Sequence, residues 1–112
     1  MTSRIGLAIS DDGLHFSKQP EPVFYPMEDS MKKYEWKGGV EDPRIAESEE
    51  GVYILTYTAY DGKTARLCLA TSTDLLHWTP LTNLHLARSP QLILDTAAPG
   101  VPARFYRARE WP

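Results

Sequence analysis

Two adjacent carboxylates followed by a proline and an arginine, Glu41-Asp42-Pro43-Arg44, are the residues of this chain best suited to acid–base chemistry. They follow a glycine pair, Gly38 and Gly39, and precede a strand-like run that is expected to start at Ile45. Pro43 fixes its own φ and steers Asp42 away from helix. Arg44 sets a permanent cation two residues from Asp42. An acidic pair held rigidly at a strand entrance keeps one carboxylate aimed at a substrate, and a positioned carboxyl group is what general acid catalysis needs. The same residues also read as a plain surface turn closed by a local Glu–Arg pair.

The elements that position this motif read as β-structure. Val52–Tyr60 is rich in β-branched and aromatic residues, with apolar groups on both faces, and predicts a strand covered on both sides. Asp61-Gly62 predicts a hairpin turn, and Ala65–Ser72 the returning strand. Further strands are expected at Arg4–Ser10, Val23–Tyr25, Arg44–Glu47, Gln91–Asp95 and Ala103–Arg109. Nine prolines disfavour long helices. A single helical turn is expected only at Asp74–Leu76, whereas Gln19–Pro22 and Pro26–Lys33 read as loops. The second loop leads to Trp36–Gly39, where a cleft rim is expected. Ile54, Leu55, Tyr57, Leu67 and Leu69, with Leu7 and Trp78, form the expected core.

One block of sequence occurs twice. Leu7 to Phe16 matches Leu69 to Trp78 in Leu, Ala, Ser, Asp, Leu and His, and each copy closes on an aromatic. Ser10 and Asp12, like Ser72 and Asp74, can bond the turn backbone, and Gly13 offers positive φ in the first copy. Phe16 and Trp78 are expected to pack back on the sheet. His15 and His77 recur within the block, which favours a structural role. A repeated supersecondary unit of this kind points to a propeller blade.

Composition bounds the partners. The chain has 112 residues, 42% of them hydrophobic, and a net charge of −3 with both signs scattered. It has no Lys/Arg-rich run, which argues against nucleic acid. The single cysteine, Cys68, cannot form an internal disulfide and reads as a buried, inert thiol between Leu67 and Leu69. No His or Cys cluster has metal-ligand spacing, so no metal is expected. No long apolar run is present, which predicts a cytoplasmic protein without a membrane partner, or a secreted one if a leader precedes residue 1.

Four ordered blocks then carry a resemblance: residues 5–16, residues 34–45 (Tyr-Glu-Trp-x-Gly-Gly-x-Glu-Asp-Pro-Arg-Ile), residues 53–60 and residues 69–78. Together they resemble the N-terminal part of glycoside hydrolase family 130, the mannoside phosphorylases. The resemblance implies an all-β, antiparallel fold, a partial five-bladed β-propeller of about two blades, with the sugar at the central axis. It implies inverting phosphorolysis, or hydrolysis, of β-mannosides, giving mannose 1-phosphate. Asp42 aligns with the family's general acid, thought to reach the glycosidic oxygen through a hydroxyl of the mannose ring. Glu41, Arg44, Tyr34, Trp36 and Tyr60 are the candidate substrate-binding residues. The partners are an oligosaccharide and inorganic phosphate as co-substrate, with no other cofactor.

Bland roles compete with these. Tyr34 and Trp36 can stack on a sugar face or simply pack the glycine turn. Tyr57 and Tyr60 can line the axis or pack the hairpin, and Arg66 can bind a ligand or form a cross-strand ion pair. Length is the main obstacle. A blade takes about 40–45 residues, so five need roughly 200. Residues 1–88 read as the partial propeller and residues 89–112 as a C-terminal β-strand tail of different character. The expectation is therefore an incomplete fragment or a fusion, an enzyme by family but inactive alone, with exposed strand edges prone to self-association. The alternative is a non-catalytic β-module with a structural or weak sugar-binding role.

Overall fold

A computed structural model of the chain describes residues 1–84, 91–94 and 105–108. In chain order the elements are β1 (Ala8–Ile9), β2 (Ser17–Lys18), α1 (Lys32–Glu35), β3 (Gly39–Glu47), β4 (Tyr53–Tyr60), β5 (Ala65–Ser72), β6 (Thr79–Leu84), β7 (Gln91–Leu94) and β8 (Phe105–Ala108). β3 to β6 form a four-stranded antiparallel meander in sequence order, while β1–β2 and β7–β8 are separate two-stranded ladders. The predicted hairpin is present. Asp61 accepts the N–H groups of Lys63 and Thr64 at 2.8 Å each, and Gly62 takes φ +99°. β4 and β5 then pair without a break from Tyr60↔Ala65 to Tyr53↔Ser72.

Pleating decides what is buried. On one face of the meander lie Val40, Leu55, Tyr57, Ala59, Cys68 and Ala70, and Phe24, Met31 and Trp78 pack onto it. The Phe24 ring meets Tyr57 edge-on at 4.8 Å. The other face carries Ile54, Thr56, Thr58 and Tyr60, all half-buried, so β4 is fully covered on one side only. This corrects part of the expected core. Leu55, Tyr57, Leu69 and Trp78 are buried, but Ile54 and Leu67 share the less covered face and Leu7 lies outside the meander; all three are half-buried. Cys68 is fully buried, which pushes its thiol up to about 12 and makes it inert as read.

Local expectations fail where partners change. Arg4–Ser10 is not one strand: Ser3 bridges Gly39, Ile5 bridges Phe24, and only Ala8–Ile9 pairs with β2. The expected Val23–Tyr25 strand reduces to that bridge at Phe24. The Asp74–Leu76 segment is bent and not helical, and the helix is instead α1, whose start falls in the expected Pro26–Lys33 loop. Asp29 starts it by accepting the Met31 N–H on its side chain at 2.8 Å, and Lys32 pairs with Glu28. β7 and β8 fall within the two strands expected in the tail; the proposed boundary at 88–89 lies outside the described residues.

The repeated block folds alike twice. In the first copy Ser10 Oγ accepts the Gly13 N–H, Asp12 Oδ1 accepts the N–H groups of Leu14 and His15, and Asp12 Oδ2 meets His15 Nδ1 at 2.6 Å. In the second, Ser72, Asp74, Leu75, Leu76 and His77 make the same set, again with 2.6 Å between acid and imidazole. These bonds hold both aspartates well below the usual carboxylate range, the Asp12 shift led by the His15 N–H and the Asp74 shift by the His77 ring. Both histidines are thus turn residues. The aromatics diverge: Trp78 is 7% exposed and Phe16 63%. The expectation that Phe16 packs on a sheet is corrected, since its ladder has two strands where Trp78 has the meander core.

Candidate active site

The acidic motif is inside a strand and not at its entrance. β3 begins at Gly39, six residues ahead of the expected Ile45, and runs through Glu41, Asp42, Pro43 and Arg44. Glu41 pairs with Thr58 and Arg44 with Thr56, so Asp42 and Pro43 form a β-bulge between them. A bulge is where a strand can hold a proline, which has no N–H for the ladder. Asp42 takes φ +50°, the left-handed region that few non-glycine residues enter. Its side chain is exposed and has no hydrogen-bond partner among the described residues.

The glycine pair permits this early start. A Cβ on Gly38 would lie 2.2 Å from the Tyr60 ring and 2.5 Å from the Tyr60 carbonyl oxygen. A Cβ on Gly39, at φ +113°, would lie 2.3 Å from the Ser3 backbone. The motif is thereby wedged between the end of β4 and the N-terminal segment. Ser3 also donates its hydroxyl to Glu41 Oε1 at 2.6 Å. Arg44 is exposed and donates to the Pro43 carbonyl at 2.9 Å. The local Glu–Arg pair is not formed among the described residues: the Glu41 carboxylate accepts from Ser3, and Arg44 donates to the Pro43 carbonyl.

The aromatic candidates separate. Trp36, just after α1, is 54% exposed, with the Lys32 ammonium 5.7 Å from its ring centre. Tyr34 packs partly against the core, and the Arg66 guanidinium lies 5.1 Å over its ring. Arg66 also pairs with Asp61 at 2.7 Å, so it is a structural ion pair, here with the hairpin loop. Tyr60 is half-buried against Gly38, and Tyr57 is a core residue. A surface cavity of about 240 Å³ lies between Arg4, Gly6, Lys18 and residues 19–22 and is lined by none of the motif residues. Among the described residues no group of three or more His, Cys, Asp or Glu gathers as a metal site. None of the described helices is long and apolar enough to cross a membrane.

Two residues were not found by sequence reasoning. Glu35 is only 1% exposed and accepts the Tyr57 hydroxyl at 2.7 Å. Burial pushes its carboxyl up, the Tyr57 bond opposes this, and Asp29 adds to it. Its spacing from Met31, one helical turn, is the signal that both face the core. Ser3 leaves no local signal, because its partner Glu41 is 38 residues away.

The sequence profile of a family described as beta-1,4-mannooligosaccharide phosphorylase, glycoside hydrolase family 130, matches residues 1–91. A 1,2-beta-oligomannan phosphorylase of Thermoanaerobacter sp. (strain X514) is 37% identical over 79 residues, 68% of this chain and 25% of that protein. A glycosyl hydrolase from Bacteroides ovatus shares 51% identity and a TM-score of 0.69, over 70% of this chain and 22% of that structure. A further structure belongs to work describing glycoside hydrolases within the GH130 mannoside phosphorylases that target beta-1,2 mannosidic linkages in Candida mannan. It shares 51% identity and a TM-score of 0.72, over 73% of this chain and 23% of that structure. The chain thus spans about a quarter of the length of these relatives.

Proposed function

The chain belongs to glycoside hydrolase family 130, and from that premise we propose that it carries the acid-bearing part of an active site that cleaves β-mannosides with inversion. Its fold is a partial five-bladed propeller, with β3 to β6 as one four-stranded blade. The observation that carries the functional reading is the conformation of Asp42. A non-glycine residue held at positive φ in a bulge, with its carboxyl group free and exposed, is costly for a strand and useful at a reaction site.

In this reading the Asp42 carboxyl gives its proton toward the glycosidic oxygen, relayed by a mannose hydroxyl. The C1–O bond breaks with its electron pair going to the leaving sugar. A phosphate oxygen attacks C1 from the opposite face, giving mannose 1-phosphate and a shortened mannoside. Trp36, exposed just after α1, offers a ring face for sugar stacking, whereas Tyr34 and Tyr60 are half-buried and offer less. Arg44 is the cation that the motif itself supplies. Phosphate needs several cations in fixed geometry, and the family places most of them in later blades.

A second reading has water in place of phosphate. It is supported by the 51% identity to a protein described as a glycosyl hydrolase from Bacteroides ovatus. One experiment separates the readings. The chain is incubated with β-1,2- and β-1,4-mannobiose, with and without phosphate. Mannose 1-phosphate marks phosphorolysis, and mannose released regardless of phosphate marks hydrolysis. No product from the chain alone and none from a chimera that carries its residues 1–84 would together mark the non-catalytic β-module. Because the chain spans a quarter of its relatives, residues 1–84 are also grafted in place of the matching segment of the Bacteroides ovatus hydrolase. Asp42→Asn in that chimera should lower turnover by at least about a hundredfold without changing the fold. Near-normal turnover would make Asp42 a structural turn residue.

A further inference from the structure

Residues 2 and 3 are tied to the motif at successive points. The Ser3 N–H donates to the Gly38 carbonyl at 2.8 Å, and the Val40 N–H donates to the Ser3 carbonyl at 3.1 Å. The Thr2 hydroxyl donates to the Lys37 carbonyl at 3.0 Å. These bonds fix the backbone of the glycine turn. The Ser3 hydroxyl does something different: it reaches the side chain of Glu41, the residue beside Asp42, at 2.6 Å. This is the length of a strong hydrogen bond from a hydroxyl to an ionised carboxylate.

We propose that Ser3 is a positioning residue that sorts the two adjacent acids, holding Glu41 against the N-terminal segment and leaving Asp42 as the carboxyl group free to act. The inference rests on the reading of Asp42 given above and adds a role that the motif does not contain. A flexible glutamate next to the acid could otherwise swing toward the same hydroxyl or cation. A serine hydroxyl has a single rotor, and Ser3 cannot drift, because its backbone lies against Gly39 where a Cβ would be 2.3 Å away. Glu41 is then an anchor of the site and not a ligand for the sugar. The bulge supplies the second half of the sorting. It turns Asp42 out of the ladder at φ +50° while Glu41 stays in register with Thr58.

The test uses the 112-residue chain with three substitutions. Ser3→Ala removes the hydroxyl, Ser3→Thr restores one, and Thr2→Val removes a strap bond that does not touch Glu41. Side-chain couplings and the carboxyl carbon resonance of Glu41 are read by NMR. The wild type should show one Glu41 rotamer beside an averaging Asp42. Ser3→Ala should release Glu41 to averaging, Ser3→Thr should restore it, and Thr2→Val should leave it fixed. In the mannobiose assay of the chimera that carries residues 1–84, Ser3→Ala should lower kcat about tenfold with KM unchanged, and Ser3→Thr should recover it. Glu41 staying fixed in Ser3→Ala, or a Thr2→Val loss equal to that of Ser3→Ala, would overturn the sorting role. If the unsubstituted chimera forms no product, the reading of the activity fails, and the NMR comparison on the 112-residue chain alone decides for or against Ser3.

Discussion

Glu35 and Asp42 flank the same glycine pair and meet opposite surroundings. Asp42 is open to solvent at a strained position; Glu35 is sealed under α1 with the Tyr57 hydroxyl as its bonded partner. Burial raises the Glu35 carboxyl above its ordinary 4.5, so the folded chain holds a proton there that the unfolded chain releases first. The contribution to stability is therefore complete below about pH 4.5 and is lost as pH rises through the higher folded value. Thermal unfolding followed from pH 4 to 8 should show wild type falling relative to Glu35→Gln, by at most about 1.4 kcal/mol per pH unit. Parallel curves would show that Glu35 is solvated. At this scale the acid motif was legible because Glu41 to Arg44 are contiguous. The partners of Glu35 and Glu41 were not, since they lie 22 and 38 residues away in the chain.

The two copies of the repeat separate local from tertiary information. Their turns are matched bond for bond, even though Leu75 takes φ +66° where Gly13 takes +75°. Leu75 is held in that conformation by the same serine and aspartate bonds and by partial packing on the core. Turn chemistry is local and was readable. Burial of the closing aromatic depends on the sheet beneath it and was not. Trp78 tilts against Phe24 at 6.5 Å and bonds the Leu75 carbonyl through its indole N–H. Trp78→Ala should therefore cost about 3–5 kcal/mol, whereas Phe16→Ala should stay within about 0.5 kcal/mol. Urea denaturation of the two variants measures the contrast, and equal losses would place Phe16 in a packed environment. The bulge in β3 escaped the sequence for a related reason: Pro43 signalled a break, but only pairing with Thr56 and Thr58 shows that the strand continues past it.

For the whole molecule, the antiparallel all-β fold was legible from the repeat and the hairpin signals, while the distribution of exposed apolar surface was not. Ile9, Leu14 and Phe16 on the β1–β2 ribbon are all more than half exposed, as is Ile45 on β3. Among the described residues β1 pairs only with β2, and β3 is tied to the N-terminal segment only at Ser3, through the Ser3–Gly39 bridge and the Ser3–Glu41 bond. Unpaired strand edges next to apolar side chains favour pairing with another chain. The chain is therefore expected to self-associate at micromolar to millimolar concentration, with sedimentation velocity showing species larger than 12.7 kDa as concentration rises. Leu14→Ser with Phe16→Ser should shift that distribution toward monomer without changing the near-ultraviolet signal of Trp78 in the blade. Ile45→Ser alone tests β3 in the same way. If the ribbon variant associates as strongly as the wild type and the Ile45 variant does not, the contact runs through the motif-bearing strand. Access to Asp42 would then depend on the oligomeric state, which chemical-shift changes at Asp42 across a dilution series of the chain would register.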